Sequence, residues 1–208
     1  NAVSYQGYLC DNNLAPKENT TAEYAAIANY GYHLDAGKFV TLLQQHCTQQ
    51  LGVKHIKDHV VAVKNDENQY IAAISTQDNG DIVGDIFVDC TGFAALLIGQ
   101  HYQIPFINKK AILFNDTALA VQLPYQDDTC PIASHTLSTA QDAGWIWDIG
   151  LSSRRGVGYV YASQYTSSEA AEQTLREYIA PTLGAKAQSI ELKKISIDSS
   201  NFGNFTKI

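Results

Sequence analysis

Both tryptophans of this chain stand in one run, Gly144-Trp145-Ile146-Trp147-Asp148-Ile149-Gly150-Leu151. In an extended strand, residues i and i+2 share a face, so Trp145 and Trp147 would lie side by side as a flat aromatic wall with Ile149 beside them. Such a surface can pack a core, or it can exclude water and organic molecules from a reactive group. A second chemically suggestive run is Asp85-Ile86-Phe87-Val88-Asp89-Cys90-Thr91-Gly92-Phe93, a hydrophobic strand ending in small residues that let the backbone approach a bound group. A third is Arg155-Gly156-Val157-Gly158-Tyr159-Val160-Tyr161. Its glycines do not make a dinucleotide fingerprint, because a strand rather than a helix follows them; a turn or a close backbone approach fits better.

Other constellations carry less. His55 and His59 are four apart, but Lys57-Asp58 between them reads as a turn, so no metal site is expected. Cys10, Cys47, Cys90 and Cys130 form no C-x-x-C pair, which indicates neither a zinc knuckle nor a disulfide framework. His33 reads as a structural hydrogen-bonder, and no nucleophile-elbow pattern accompanies any serine.

The elements that must position these residues follow from pattern and punctuation. Polar turn chemistry at Asp11–Asn13 and Pro16–Asn19 makes the first thirty or so residues irregular. A helix is expected from Ala36 to Leu51, with Asp35 as N-cap, Gly52 as stop, and Phe39, Val40, Leu42, Leu43 and Cys47 as its apolar stripe. Strands at Val60–Val63, Tyr70–Ser75 and Ile82–Asp89 follow, the last two joined by the hairpin signal Asp78-Asn79-Gly80. Longer strands are expected near Ala111–Leu123, Trp145–Leu151, Gly158–Ser163 and Ser189–Ile197. A helix at Ser167–Thr182 lies between the last two, opened by the capping box Thr166–Glu169 and closed by Pro181 and Gly184.

The expected fold class is mixed α/β. Residues 1–98 would form one part (irregular start, helix, β-meander), and residues 99–208 a mostly antiparallel sheet with one covering helix. With 208 residues and 45% apolar content the chain can bury a proper core. A net charge of −7 without a basic cluster argues against a nucleic-acid partner. No run reaches the roughly 18 apolar residues of a membrane span, and a cytoplasmic, reduced protein is the default expectation. The chain contains no methionine and begins at Asn1, as an internal piece of a longer product would.

Taken together and in order, Tyr32-His33-Leu34-Asp35-Ala36, Asp58–Val63, Asp85–Phe93 and the Trp145-x-Trp147-x-Ile149 run resemble the middle of the flavin-dependent tryptophan halogenases, whose hallmark is Trp-x-Trp-x-Ile-Pro. The resemblance runs from about Gly31 to the end and implies part of a flavin-monooxygenase-type FAD-binding domain followed by a substrate-side sheet. It places Val60 or Val61 at the adenine end of FAD, Cys90, Thr91 and Gly92 beside the flavin, and Trp145, Trp147 and Ile149 on the flavin-side wall of a tunnel. Residues 195–208 resemble only the approach to a later family segment.

In that family reduced FAD, supplied by a separate flavin reductase, works with oxygen and chloride or bromide. A hypohalous oxidant then crosses the tunnel to tryptophan, indole or a similar aromatic. Gly150 replaces the family's Pro, which would loosen the turn after the strand. No residue here matches the family's halogen-delivering lysine, its later glutamate, its N-terminal phosphate loop or its halide loop. The chain by itself is therefore expected to be inactive and to supply no catalytic residue. Two other readings remain: an aromatic hydroxylase of the same lineage, and a non-catalytic domain using Trp145, Tyr159 and Tyr161 as an exposed binding surface.

Overall fold

The computed structural model describes residues 4–196 and 201–203. The chain divides into two compact units: Asn1–Phe39 with Asn108–Asn201, and Val40–Ile107 with Phe202–Ile208. The class is the mixed α/β one expected from sequence.

The first unit is built on a five-stranded antiparallel sheet. Its strands are β5 (Thr117–Leu123), β6 (Leu137–Gln141), β7 (Gly144–Gly150), β8 (Arg155–Tyr161) and β9 (Lys193–Ser196), in the order β6-β7-β8-β5-β9. Strand alternation sends Ile146 and Asp148 of β7 to the buried face, together with Val157, Tyr159 and Tyr161 of β8. The helix α3 (Ser168–Leu183) covers that face. Its buried residues Ala171, Leu175 and Ile179 recur every fourth position, so they form one stripe against the sheet. Leu175 and Ile179 are fully buried, worth about 1.5–3 kcal/mol each. Ser167 caps α3 by accepting from the Ala170 N–H at 3.2 Å, and Gly184, at φ +56°, ends it. Pro181 lies inside the last turn rather than beyond it.

A short helix, α1 (Tyr5–Asp11), opens this unit where irregular chain was expected. Ser4 caps it, and it is tied to the following loop by Tyr5 Oη donating to the Ile27 carbonyl at 2.5 Å and Gln6 Nε2 to that of Asn29 at 3.1 Å.

The second unit holds the three-stranded antiparallel meander β1 (Val60–Asn65), β2 (Ile71–Thr76) and β3 (Gly80–Val83), with β2 central and most buried. The expected hairpin at Asp78–Gly80 forms. Asp58 Oδ2 fastens it by accepting from the Asp78 and Asn79 backbone N–H groups at 3.0 and 2.9 Å and from Asn79 Nδ2 at 2.7 Å. The Asn79 bond leads the causes that hold the Asp58 carboxyl well below the usual carboxylate range. Two short strands, β4 (Phe106–Asn108) and β10 (Asn201–Gly203), pair with each other.

The helix α2 (Ala36–Gln49) starts at the end of the first segment and continues past Phe39. Its expected apolar stripe forms, yet no residue of α2 is buried. Capping therefore shapes this helix more than packing does among the described residues: Asp35 Oδ1 accepts from Gly37 and Lys38 N–H groups at 3.0 and 3.2 Å.

Three expected strands are shorter than read, the Ser189–Ile197 one beginning only at Lys193. The third meander strand stops at Val83, and Gly84–Asp89 pairs with no other described strand, because β-branched residues make a strand only where a neighbouring backbone takes their hydrogen bonds. Residues 111–116 precede β5 as turn and irregular chain. Ile197, the last residue of the expected Ser189–Ile197 strand, lies outside the described residues, as does most of the family-like approach segment 195–208.

Candidate functional site

The turn at Asp89–Leu96 is built around one carboxylate. Asp89 Oδ1 accepts from the Thr91 backbone N–H at 3.1 Å and from Thr91 Oγ1 at 2.6 Å. Its Oδ2 accepts from the Leu97 and Ile98 N–H groups at 2.8 and 3.2 Å, the free donors at the start of the π-helical turn Leu96–His101. Thr91 Oγ1 in turn accepts from Leu96 N–H at 2.9 Å. Partial burial pushes the Asp89 carboxyl up, but these bonds together hold it below the usual range. Asp89 is thus an ionised clamp, a role its sequence position did not disclose.

The clamp leaves the turn itself open. Cys90 is exposed, Phe93 is 80% exposed, and nothing stands within 4 Å of where a Cβ on Gly92 would lie. Gly92 has φ +63°, which favours glycine, and Ala95 also adopts a left-handed φ of 43°. A backbone held this firmly and this openly fits the approach of a planar group such as a flavin. In the same unit Val60 and Val61 are both exposed on β1. The register with β2 shifts between Val60 and Ala62, the mark of a β-bulge at Val61.

The tryptophan strand has a different architecture. Trp145, Trp147 and Ile149 all lie on the β7 face opposite the α3-covered core, as period-two alternation requires. The indoles do not form a flat wall, however. Their centroids are 6.3 Å apart and their planes meet at 62°, an edge-to-face pair. Strand spacing fixes which face a side chain takes but not its χ angles, and the aromatic quadrupole favours the tilted arrangement.

Trp147 is accommodated by a missing side chain. It is paired with Gly158 on β8, where a Cβ would stand 2.1 Å from Trp147 Cζ2 and Cη2 and 2.6 Å from the Leu119 carbonyl oxygen. The close backbone approach expected of this glycine is what the structure contains. Gly150 likewise sits where a Cβ would meet Ile132 Cγ2 at 2.8 Å and Tyr125 Oη at 3.2 Å. It does not loosen the strand end: it stays in register with Arg155, and Tyr125 Oη donates to the Leu151 carbonyl at 2.9 Å.

Beneath the tryptophans, on the core face, is a charged cluster that sequence reading missed. Asp148 is 2% exposed and receives Arg155 through both Nε (3.0 Å) and Nη2. Tyr178 Oη of α3 donates to Asp148 Oδ2 at 3.2 Å, and Arg155 Nη1 donates to Thr182 Oγ1 at 2.9 Å. Burial raises the Tyr178 phenol pKa, with the Asp148 charge adding to it. Every partner here is engaged, so the cluster fixes β7, β8 and α3 rather than offering a free acid or base.

At the far end of the hairpin, Arg154 pairs with Asp35 Oδ2, while Asp35 Oδ1 caps α2. His33 Nε2 and Thr136 Oγ1 are 3.1 Å apart, in keeping with a structural hydrogen-bonding histidine. His55 Nδ1 lies 3.0 Å from Gln44 Nε2. The surface imagined for Trp145, Tyr159 and Tyr161 does not exist: Tyr159 and Tyr161 are 2% and 0% exposed, packed under α3, because odd-numbered residues of β8 face the core. No group of three or more His, Cys, Asp or Glu among the described residues could hold a metal ion, and none of their helices is long and apolar enough to cross a membrane.

Comparison with known proteins agrees with this fold. The profile of the tryptophan halogenase family matches residues 3–205. Tryptophan 6-halogenase SttH of Streptomyces toxytricini is 44% identical over 152 residues, 73% of this chain and 29% of that protein. Tryptophan 7-halogenase RebH of Lentzea aerocolonigenes is 34% identical over 170 residues, 82% of this chain and 31% of that protein. The crystal structure of a tryptophan halogenase from Shewanella frigidimarina NCIMB 400 superposes with a TM-score of 0.90 and 49% identity, covering 97% of this chain and 38% of that one. The chain thus spans less than a third of the length of these curated relatives. Its ordered motifs, its fold and these matches make it a member of the tryptophan halogenase family.

Proposed function

We propose that this chain forms the central part of a flavin-dependent halogenase acting on tryptophan, indole or a similar electron-rich aromatic. Chloride or bromide and oxygen would be co-substrates, and a separate reductase would supply reduced FAD. The observation that carries the reading is the Trp145/Trp147 pair, set edge to face over Gly158, in a chain matched to the family over residues 3–205.

FAD, when bound, supplies the two-electron activation of oxygen. The residues of this chain bind and exclude. The backbone at Val60 and Val61 would meet the adenine end, and the Cys90-Thr91-Gly92 turn, locked by Asp89, would lie beside the flavin. Trp145, Trp147 and Ile149 would line the flavin side of the tunnel and keep the organic substrate from the place where the bound cofactor activates oxygen, which favours halogenation over direct hydroxylation. The functional division then follows the sequence, with flavin contacts in residues 1–98 and the tunnel side in residues 99–208. No residue of this chain is assigned to proton or halogen transfer.

The test uses the protein that carries this chain, with FAD, a flavin reductase, bromide, and L-tryptophan or indole. A product with the bromine isotope doublet, absent when bromide is omitted, is expected. A hydroxylated product formed without bromide would overturn the proposal in favour of a hydroxylase, and failure to bind FAD would overturn it altogether.

A further inference from the structure

We propose that Asp89 is a positioning residue for the cofactor, acting through Thr91, and that the Cys90–Gly92 turn meets FAD with its main chain while the Thr91 hydroxyl serves the turn alone. This rests on the halogenase reading, which puts FAD beside the turn.

Thr91 is exposed, and an exposed threonine in a cofactor turn would ordinarily lend its hydroxyl to the ligand. Here that hydroxyl is already spent. Its single proton goes to Asp89 Oδ1 at 2.6 Å, and its oxygen accepts from Leu96 N–H at 2.9 Å. An O–H donated to a carboxylate is roughly twice as strong as one donated to a neutral acceptor, so a flavin carbonyl would compete for that proton at a disadvantage. Nor does the hydroxyl cap the short turn Gly92–Ala94 that follows it; it reaches past that turn to Leu96, five residues on.

Asp89 holds both ends of the same loop. Its Oδ1 accepts from residue 91 and its Oδ2 from the Leu97 and Ile98 N–H groups, so the donors that the π-helical turn could have offered a ligand are consumed as well. What the turn still offers a cofactor is main chain, with Gly92 open where a side chain would stand. The position of that main chain is set by Asp89 and passed on by Thr91. A direct flavin contact from Thr91 and a relay through it make opposite predictions. Two residues in one relay lose the same thing whichever is removed, whereas independent contacts add.

The experiment is a double-mutant cycle on the affinity for oxidised FAD, read by flavin fluorescence quenching, in the protein that carries this chain. Asp89→Asn sets an amide NH₂ against donors at one end of the clamp, and Thr91→Val removes the hydroxyl. Each is expected to weaken FAD by about tenfold, or about 1.4 kcal/mol. The double variant is expected to lose about tenfold as well, rather than a hundredfold. Thr91→Ser keeps the hydroxyl and should bind FAD within about twofold of the unsubstituted protein. Hydrogen–deuterium exchange without FAD supplies a second readout: the peptide covering Leu96–His101 should exchange faster in Asp89→Asn and in Thr91→Val, with the five-stranded sheet unchanged. Additive losses, or Asp89→Asn binding FAD as tightly as the unsubstituted protein, would overturn the relay and make Thr91 a direct ligand. Faster exchange throughout the protein would make Asp89 a residue of general stability and overturn its positioning role. An unsubstituted protein that binds no FAD would overturn the halogenase reading, and this inference with it.

Discussion

Replacing Gly158 with alanine tests the packing of the tryptophan strand most directly. An added Cβ would stand 2.1 Å from two atoms of the Trp147 ring and 2.6 Å from the Leu119 carbonyl oxygen. Carbon contacts are favourable at roughly 3.5–4.0 Å, so the indole must retreat by about 1.5 Å. It cannot do so freely, because Trp145 packs against it and Leu119 belongs to the neighbouring strand. Overpacking of this kind costs about 1–3 kcal/mol, and a clash with backbone belongs near the upper end. Alanine recovers up to about 1 kcal/mol of the entropy that glycine loses in a strand. The net expectation is a loss of about 2 kcal/mol, or roughly 4–8 °C in melting temperature for a chain of this size. Both tryptophans sit on β7, so their emission follows this sheet alone in thermal or urea unfolding. Gly156→Ala is the control, since nothing lies within 4 Å of its added Cβ. If Gly158→Ala melts within about 1 °C of the parent with unchanged emission, the packing argument is wrong.

Three further outcomes follow from the polar contacts. Arg155→Met strands Asp148, 2% exposed, as an uncompensated charge and should cost about 3 kcal/mol, with Asp148→Leu in the same molecule recovering most of it; urea midpoints of the two variants decide this. Burial pushes the Asp116 carboxyl up, but Lys110 at 2.6 Å and the Ser163 and Thr117 bonds hold it well below its ordinary value. A depressed carboxylate contributes stability that is complete above its unfolded pKa of about 3.9 and lost as pH falls through the lower folded value. Asp116→Asn should therefore be less stable than the parent at pH 7 and show a shallower decline below about pH 4, and equal slopes would refute the assignment. Asp35→Asn keeps an acceptor for Gly37 and Lys38 but loses the charge facing Arg154, whereas Asp35→Ala loses both. The alanine variant should unfold at lower urea than the asparagine one, and helix content by circular dichroism should fall only in the former.

The sequence was most informative where structure is local. Both long helices were legible to within about two residues, because Asp35 and Ser167 cap them through neighbours only two or three residues away. The hairpin at Gly80 and the face shared by Trp145, Trp147 and Ile149 followed from equally short-range rules. The element α1 was missed because Tyr5, Tyr8 and Leu9 hold helical spacing over only seven residues, too short a window to read, and β6 because Leu137–Gln141 shows no apolar alternation. The opposite error occurred at Gly84–Asp89, where a strand-like composition has no ladder among the described residues. The Arg154–Asp35 pair joins residues 119 apart, and Asp148 with Tyr178 spans 30 residues, so neither leaves a mark in a short window. The tilt between the indoles escaped for a different reason: periodicity carries no information about side-chain torsions.

The Asp89 clamp separates the path of a backbone from the identity of its side chains. The route from Thr91 to Ile98 is dictated by carboxylate and hydroxyl bonds to main-chain N–H groups and by the left-handed turn at Gly92. Cys90 and Phe93 point outward and contribute nothing to that route. Positions 90 and 93 can therefore be substituted without redirecting the backbone, retuning the polarity and shape met by whatever lies against the turn. Positions 89 and 92 cannot, since a glutamate would overreach the four donors and any β-carbon at 92 would enter the left-handed region at a cost of about 1–2 kcal/mol. Variation and constraint alternate here within five residues, so one rigid frame can be refitted to different chemistry without being rebuilt.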